Sequence, residues 1–162
     1  MNTQIHTEIL RQTSKRPPVV IAAGDSQVQS TVEPYQLALP DLADSPMRLR
    51  ILRGAGSFAE IKWHEPTTTV GVQFWGDTND GHARILVDGA EVWQGNTQGQ
   101  SVTFEEYIEI DGLPNTTHTV RVEATGQPGS SGGSDVTVAA FGWGSLSSPA
   151  NQTIFVPIVR NM

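Results

Sequence analysis

Trp75 and the polar residues that follow it are the part of the sequence whose types and spacing best suit ligand binding. Trp75 ends an apolar run and leads into Asp77, Asn79 and Asp80. The alternation of the preceding residues points its side chain away from the core. An outward indole can stack on the apolar side of a pyranose ring while Asp and Asn bind the hydroxyls, so the stretch predicts a sugar-binding site. An equally open interpretation is that the indole folds over the rim of the core.

Trp93 and Trp143 are two further candidates for ligand contact. Trp93 lies in a short run after a predicted turn, and Trp143 stands between Gly142 and Gly144. Small neighbours leave both faces of an indole open, but they also allow a bulky ring to pack closely. We therefore retain both tryptophans as secondary ligand-binding candidates, with packing as the alternative for Trp143.

The same acidic residues offer oxygen ligands for a metal ion. Calcium takes roughly six to eight oxygens, and Asp77, Asn79 and Asp80 could supply some of them. The run lacks the length and the closing glutamate of an EF-hand loop, so other ligands would have to come from elsewhere. The sequence contains no cysteine, which excludes thiolate metal sites and disulfides. A structural calcium ion is the one cofactor that these residues suggest.

Ser26 is the candidate nucleophile of the sequence. The run VVIAAGDS, which ends at Ser26, resembles the first block of the SGNH hydrolases. Serine catalysis also needs a base held by a third group, and that family takes both from a late Asp-x-x-His block. Here Asn79 and Asn115 stand three residues before His82 and His118, where the aspartate belongs. We therefore expect Ser26 to lie in an ordinary turn and the protein not to be an enzyme.

Apolar residues at every second position predict that β-strands carry these candidate sites. Asp88-Gly89, between two such runs, supplies the positive φ angles of a tight hairpin turn. With 16 glycines, 10 prolines and little helical periodicity, the chain is expected to be all-β: an antiparallel β-sandwich or jelly roll of about ten strands. The inward-facing pairs are Ile85 and Val87, Val102 and Phe104, Val120 and Val122, and Val136 and Val138.

The chain of 162 residues divides into two regions in this interpretation. Residues 1–16 are polar and are expected to form a flexible arm, and residues 17–162 a single β-sandwich domain. In the run MRLRILR, Leu49 and Ile51 share one face of a strand and Arg48 and Arg50 the other. We expect the arginine face to be solvated and paired with the chain's own acidic residues, with an anionic partner as the alternative. Pro157 inside the last apolar run predicts an edge strand there.

Charge and hydropathy exclude two classes of partner. The net charge of −7 argues against nucleic acid, because phosphate binding needs clustered Lys and Arg. No apolar run approaches the roughly 20 residues that span a bilayer, so membrane insertion is not expected. Residues 1–16 also lack the apolar segment of a signal peptide.

Three segments resemble the galactose-binding-domain-like β-sandwiches over residues 58–141: RILVDGAEV, GLPNTTHTVRVEATG and SDVTVAAF. That group shows a similar hairpin, a similar strand after it, and a terminal strand opening with Asp. The resemblance implies a jelly roll of the kind found in carbohydrate-binding modules and in accessory domains of glycoside hydrolases. In calcium-bearing members a structural ion joins an early acidic residue to the aspartate that opens the last strand. Asp135 matches the second role, and no early acidic residue clearly matches the first.

Two functions remain open from the sequence. The first is a non-catalytic carbohydrate-binding module that binds glycan through Trp75, Asp77, Asn79 and Asp80. The alternative is a structural or assembly protein, such as a phage decoration or tail component or a surface-filament subunit. Residues 1–23 would then add a strand to a neighbouring subunit and make a homo-oligomer. The ending IFVPIVRN looks like the tails of some secreted bacterial proteins, which favours a location outside the cell or on a cell or virion surface.

Overall fold

The computed structural model describes residues 6–11, 19–37, 47–99 and 104–144. Over these ranges the backbone forms twelve strands and no helix. All pairings between the strands are antiparallel, so the expected all-β fold is confirmed. The strands are β1 (His6–Arg11), β2 (Val19–Ala22), β3 (Gln29–Ser30), β4 (Pro34–Leu37), β5 (Met47–Leu52), β6 (Phe58–Lys62), β7 (Val70–Gly76), β8 (His82–Val87), β9 (Ala90–Asn96), β10 (Phe104–Asp111), β11 (Thr119–Ala124) and β12 (Val136–Trp143).

The strands form two sheets that face each other as a sandwich. The seven-stranded sheet has the order β1-β10-β7-β12-β5-β4, and β2 pairs with β12 beside β5. The five-stranded sheet has the order β3-β6-β11-β8-β9. The chain therefore crosses from one sheet to the other several times, as in a jelly roll.

The core lies between the sheets and is built from the alternating apolar positions. Phe74, Ile85, Ile108, Val122 and Phe141 are fully buried there. The predicted inward orientation of the paired apolar residues is confirmed in β8, β11 and β12, where one face of each strand enters this core. β7 and β12 are buried along their whole length, so the outer face of the seven-stranded sheet is closed as well.

The predicted hairpin turn is confirmed. Asp88 and Gly89 have φ angles of 53° and 85° and connect β8 to β9. Positive φ at both central residues is the geometry whose twist matches that of the flanking strands. The hairpin fixes the register of β8 against β9, apart from an irregularity at Ile85 and Leu86.

The prediction of a solvated arginine face on β5 is wrong for Arg50. Arg50 pairs with Val138 across the sheet, and Leu52 pairs with Val136. Paired residues share a face, so Arg50 points to the same side as the core valines and is buried. Leu49 is buried on the opposite, outer face, because that face of the sheet is closed too.

β1 lies within residues 1–16, the region expected to be a flexible arm. Its six residues pair in continuous register with β10, from His6 opposite Asp111 to Arg11 opposite Glu106. The domain boundary at residue 17 stays a prediction. The last apolar run, with Pro157, lies outside the described residues.

Candidate functional site

Trp75 lies on the outer face of β7, as the alternation predicts, but it is only 5% exposed. The closed outer face of the seven-stranded sheet accounts for this burial, since the neighbouring Gln73 is buried there as well. Stacking on a sugar requires an open face of the indole. Trp75 therefore does not form the exposed platform that the sequence suggested, and the second interpretation, packing, describes it better.

Trp93 and Trp143 also pack against the protein. The Trp93 ring is partly buried, with its centroid 5.7 Å from that of Phe74 in the core. Trp143 is 3% exposed, and its ring centroid is 5.8 Å from that of Trp63. The packing alternative for Trp143 is therefore the one observed. Tyr35 is the large apolar side chain that stands out as exposed in the described part of the chain, and it lies on β4 at an edge of the seven-stranded sheet.

Asp77, Asn79 and Asp80 lie together on the loop between β7 and β8, where they bind one another and the adjoining loops. The Asp77 carboxylate accepts the backbone N–H of Asn79 at 2.9 Å. The Asp77 carbonyl accepts the N–H of Gly99 from the loop after β9 at 2.9 Å. Ser131 in turn donates to the carbonyl of Thr78. These contacts join three loops.

Asp80 differs from its two neighbours because it is fully buried. Its Oδ2 accepts the N–H of Asp77 at 3.3 Å, whereas its Oδ1 has no partner. Burial, followed by the charges of Asp77 and Asp135, raises the pKa of Asp80 to about 8. A carboxyl in such surroundings keeps its proton at neutral pH.

The calcium ion that the resemblance implies would have Asp135 as a ligand. Asp135 precedes β12, as expected, but its Oδ2 lies 3.5 Å from Nε of Arg53. Within the described ranges no group of three or more His, Asp or Glu side chains could hold a metal ion together. Calcium binding at Asp135 stays a prediction without support from the donor set.

Ser26 lies in an exposed turn after β2, as expected. His118, which is buried, is bound elsewhere: its Nδ1 is 2.6 Å from Asp88 Oδ2, and its Nε2 faces the carbonyls of Pro114 and Thr67 at 2.8 and 3.1 Å. Burial alone would lower the pKa of His118, but the bonds to Asp88 and the carbonyls outweigh it and raise the pKa. The histidine therefore ties a loop to the hairpin and is not directed at Ser26.

The outer face of the five-stranded sheet, by contrast, is open. We define this outer face of the five-stranded sheet by the outward residues of β6, β8, β9 and β11. Apart from Glu123, which is buried, its side chains are half-buried or exposed, and many are charged. In β6, β8 and β11 the alternate residues enter the core. An open, polar sheet face of this kind is where a soluble sandwich can bind a polar ligand without disturbing its core.

Five charged side chains form a continuous charge ladder across the outer face: Glu91, Arg84, Glu123, Arg121 and Glu60. Glu123 accepts from Arg84 at 2.6 Å and from Nε of Arg121 at 2.6 Å. Longer contacts of 3.5 and 3.6 Å join Arg84 to Glu91 and Arg121 to Glu60. Burial would raise the pKa of Glu123, but its bonds to the two arginines lower it. Glu123 is therefore held as a carboxylate between the two arginines.

Two hollows lie beside the charge ladder. The first, of about 380 Å³, is lined by Arg84, Gln94, Glu123 and Thr125 among others. The second, of about 340 Å³, is lined by Gln27, Gln29, Glu60, Lys62 and Thr119. Arg121 stands between them, with its guanidinium 3.6 Å from the centre of the Phe58 ring.

The hollows combine hydrogen-bond donors and acceptors at short spacing. Arginine and lysine only donate, carboxylates only accept, and glutamine amides do both. Sugar hydroxyls donate and accept as well, so such a surface can bind several hydroxyls of one chain. Alternation alone would have identified Arg84, Arg121 and Glu123 as outward-facing, but their neighbours across the strands depend on register.

Comparison with solved structures shows proteins of the same fold. A β-1,3-glucan-binding CBM6 module from Bacillus halodurans has 14% sequence identity and a TM-score of 0.54, covering 81% of this chain and 98% of its own. A CBM35 module from Paenibacillus barcinonensis has 19% identity and a TM-score of 0.50, covering 78% of this chain and 98% of its own. The chain therefore has the β-sandwich fold of these modules, as the resemblance implied.

The fold also occurs as part of larger enzymes. A Paenibacillus xanthan lyase has a TM-score of 0.60 and 16% identity over 80% of this chain, a match that covers 13% of the lyase. No family model matches the chain, and no curated protein does. No helix in the described ranges has the length and apolarity to cross a membrane.

Proposed function

We propose that this protein is a non-catalytic carbohydrate-binding domain that binds glycan on the outer face of the five-stranded sheet. The observation that carries the proposal is the charge ladder with a hollow on either side. The fold, shared with CBM6 and CBM35 modules, supports it. We place the protein outside the cell or on a cell or virion surface, where glycans are accessible.

The ligand class follows from the composition of the two hollows. The second hollow is lined by polar residues, and the first by polar and small apolar ones. The ring of Phe58, beside Arg121, is covered by its guanidinium. Binding therefore depends on hydrogen bonds to hydroxyls more than on stacking. Because the hollows lie on both sides of Arg121, the ligand is a chain of several sugar units and not a single residue.

The alternative function is assembly with other copies of the same chain. The observation in its favour is β1, an edge strand that pairs with β10 through six residues. The same pairing can form between two chains if β1 is exchanged, which is a low-cost route to a dimer. This function would use residues 1–23 and would leave the outer face of the five-stranded sheet free.

The test of glycan binding is a titration of the isotope-labelled protein followed by NMR. The probes are soluble β-glucan, α-glucan, mannan and xanthan oligosaccharides. We expect shifts at Arg84, Arg121 and Gln29, and about tenfold weaker binding for Arg84→Ala, because hydrogen bonds to a charged group contribute roughly this much.

Arg48→Ala is the matched control, since Arg48 is an exposed arginine on the other sheet. It should leave affinity unchanged. Chemical-shift changes confined to residues 77–80 would instead indicate that the glycan binds to the β7–β8 loop. An absence of binding by all the probes would argue for the assembly function.

A further inference from the structure

Arg50 is a buried cation around which a segment of backbone is folded. Its side chain extends from the inner side of β5 and is 7% exposed. Each guanidinium nitrogen donates to a backbone carbonyl: Nε to Ala23 at 2.9 Å, Nη1 to Val32 at 2.6 Å and Nη2 to Val28 at 3.2 Å. Three carbonyl oxygens from one segment thus converge on a single positive charge, which the planar fork of arginine can satisfy in fixed directions.

The segment held in this way joins the two sheets. It leaves β2 in the seven-stranded sheet and enters β3, the edge strand of the five-stranded sheet. We refer to residues 23–32 as the crossover. Val28 and Val32 flank β3, so their bonds to Arg50 fix this edge strand from the opposite sheet. Gln29 of β3 pairs with Glu60, and Gln27 and Gln29 line the second hollow.

The arrangement resembles what a metal ion does in a loop. Calcium gathers backbone carbonyls and carboxylates around a positive charge. Here the carbonyls of the crossover converge on Arg50 of β5. The Asp135 carboxylate faces Arg53, the residue that follows the end of β5. Within the described ranges no three or more His, Asp or Glu side chains cluster in a way that could hold a metal ion. Arg50 thus supplies to the crossover the positive charge that a metal ion supplies to such a loop.

We propose that Arg50 is a positioning residue for the crossover. Its guanidinium folds the crossover and sets Gln27 and Gln29 at the second hollow. The inference rests on the proposed function only in treating that hollow as a ligand surface. The folding role stands on the contacts of Arg50 alone.

Hydrogen exchange of Arg50→Ala and Arg50→Lys tests the proposal without any glycan. In Arg50→Ala we expect the protection of the amides of residues 28–32 to fall by about tenfold or more, because three carbonyls lose a charged donor. Amides of β8 and β11 should keep their protection. In Arg50→Lys the protection of these amides should lie between that of the wild type and that of Arg50→Ala, because one ammonium cannot reach all three carbonyls in the same geometry. Arg48→Ala, on the same strand but exposed, should match the wild type.

Chemical rescue separates the positioning role from a general loss of stability. Adding methylguanidinium to Arg50→Ala should restore both the protection of the crossover and the side-chain amide signals of Gln27 and Gln29. Tetramethylammonium at the same ionic strength should restore neither, since it has no N–H donors. Wild-type protection in Arg50→Ala without any added cation would overturn the proposal.

The metal question is answered on the unmodified protein. We expect the same amide protection of residues 28–32 in EDTA and in excess calcium. Protection of these amides that falls in EDTA and returns with calcium would show that a metal ion holds the crossover, which contradicts the proposal. If Arg50→Ala does not fold, hydrogen exchange of Arg50→Lys and the comparison of EDTA with calcium still test the proposal. Because none of these experiments uses a sugar, a failure here is distinct from a failure of glycan binding.

Discussion

Asp80 and His118 are ionisable side chains that the fold buries almost completely, and the protein accommodates the two groups in different ways. Asp80 has an unpartnered oxygen and a raised pKa, so it retains its proton. His118 is held between a carboxylate and two carbonyls, so it retains its charge. Both folded-state pKa values lie above those of the unfolded chain. In each case the folded protein holds a proton that the unfolded chain gives up at lower pH, so stability falls as pH rises through the interval.

Asp80→Asn should stabilise the protein at alkaline pH. Burial raises the pKa of Asp80 in the folded protein to about 8 from its ordinary 3.8, so wild-type stability declines over this interval as the pH rises. Asparagine cannot ionise and keeps an oxygen for the N–H of Asp77. We expect a gain of about 2 kcal/mol at pH 8 that disappears near pH 4. Urea unfolding at both pH values measures it, and a loss of stability at pH 8 would instead indicate a bound cation at Asp80.

His118→Gln should destabilise the protein most below pH 6.5. The raised pKa of His118 means that its stabilising charge is complete below the unfolded value and is lost as pH rises through the folded value. Asp88, whose pKa is lowered, loses its contribution only as pH falls below its usual 3.8. We expect a cost of about 2 kcal/mol at pH 5.5 and a smaller cost at pH 9. His64→Gln, at an exposed histidine, is the control and should leave the stability unchanged.

At the scale of elements, a side chain of β10 packs so closely on β7 that one position of β7 has room only for glycine. An added Cβ at Gly71 would overlap the phenol of Tyr107, which is buried on the outer face of the seven-stranded sheet. Burial raises the pKa of Tyr107, so its hydroxyl stays protonated. The alternating pattern predicts the strand around Gly71, but it does not indicate the ring that covers this position.

Gly71→Ala should lower the free energy of unfolding by about 1–3 kcal/mol, because the phenol has to move within a packed layer. Chemical denaturation of the single variants and of Gly71→Ala combined with Tyr107→Ala measures the coupling. In the Tyr107→Ala background the alanine at position 71 should cost little. Equal costs in both backgrounds would mean that the ring does not limit this position.

At the scale of the whole molecule, the two proposed functions differ in what β1 does. As a strand of its own chain, β1 covers the edge of β10 and keeps that backbone from pairing with another molecule. As an exchanged strand, it would hold two chains together. The outer face of the five-stranded sheet is the same in both cases.

Removal of residues 1–16 distinguishes these two roles. For a glycan-binding domain we expect the full chain to sediment as a monomer and the shortened chain to self-associate through the uncovered edge of β10. For an assembly protein the order reverses, and an oligomer of the full chain dissociates when the arm is removed. Sedimentation velocity on both chains, over a range of protein concentrations, gives the answer.

The sequence by itself determined the features that depend on near neighbours. Alternation at Ile85 and Val87 is enough to predict a strand with one face in the core, because successive side chains point to opposite sides. Asp88-Gly89 predicts its hairpin because few other residues adopt two positive φ angles in succession. The order of such segments was also enough to predict the all-β sandwich.

Only the tertiary structure decided which faces remain open and which side chains meet. Trp75 points outward, as its strand position requires, yet the closed outer face of its sheet buries it. Arg50 enters the core side because β5 pairs with β12 in one particular register, and a shift by one residue would have turned it outward. Arg84 and Arg121 meet at Glu123 for the same reason. Register and the packing of layers join residues that are far apart in the chain, so no local pattern contains them.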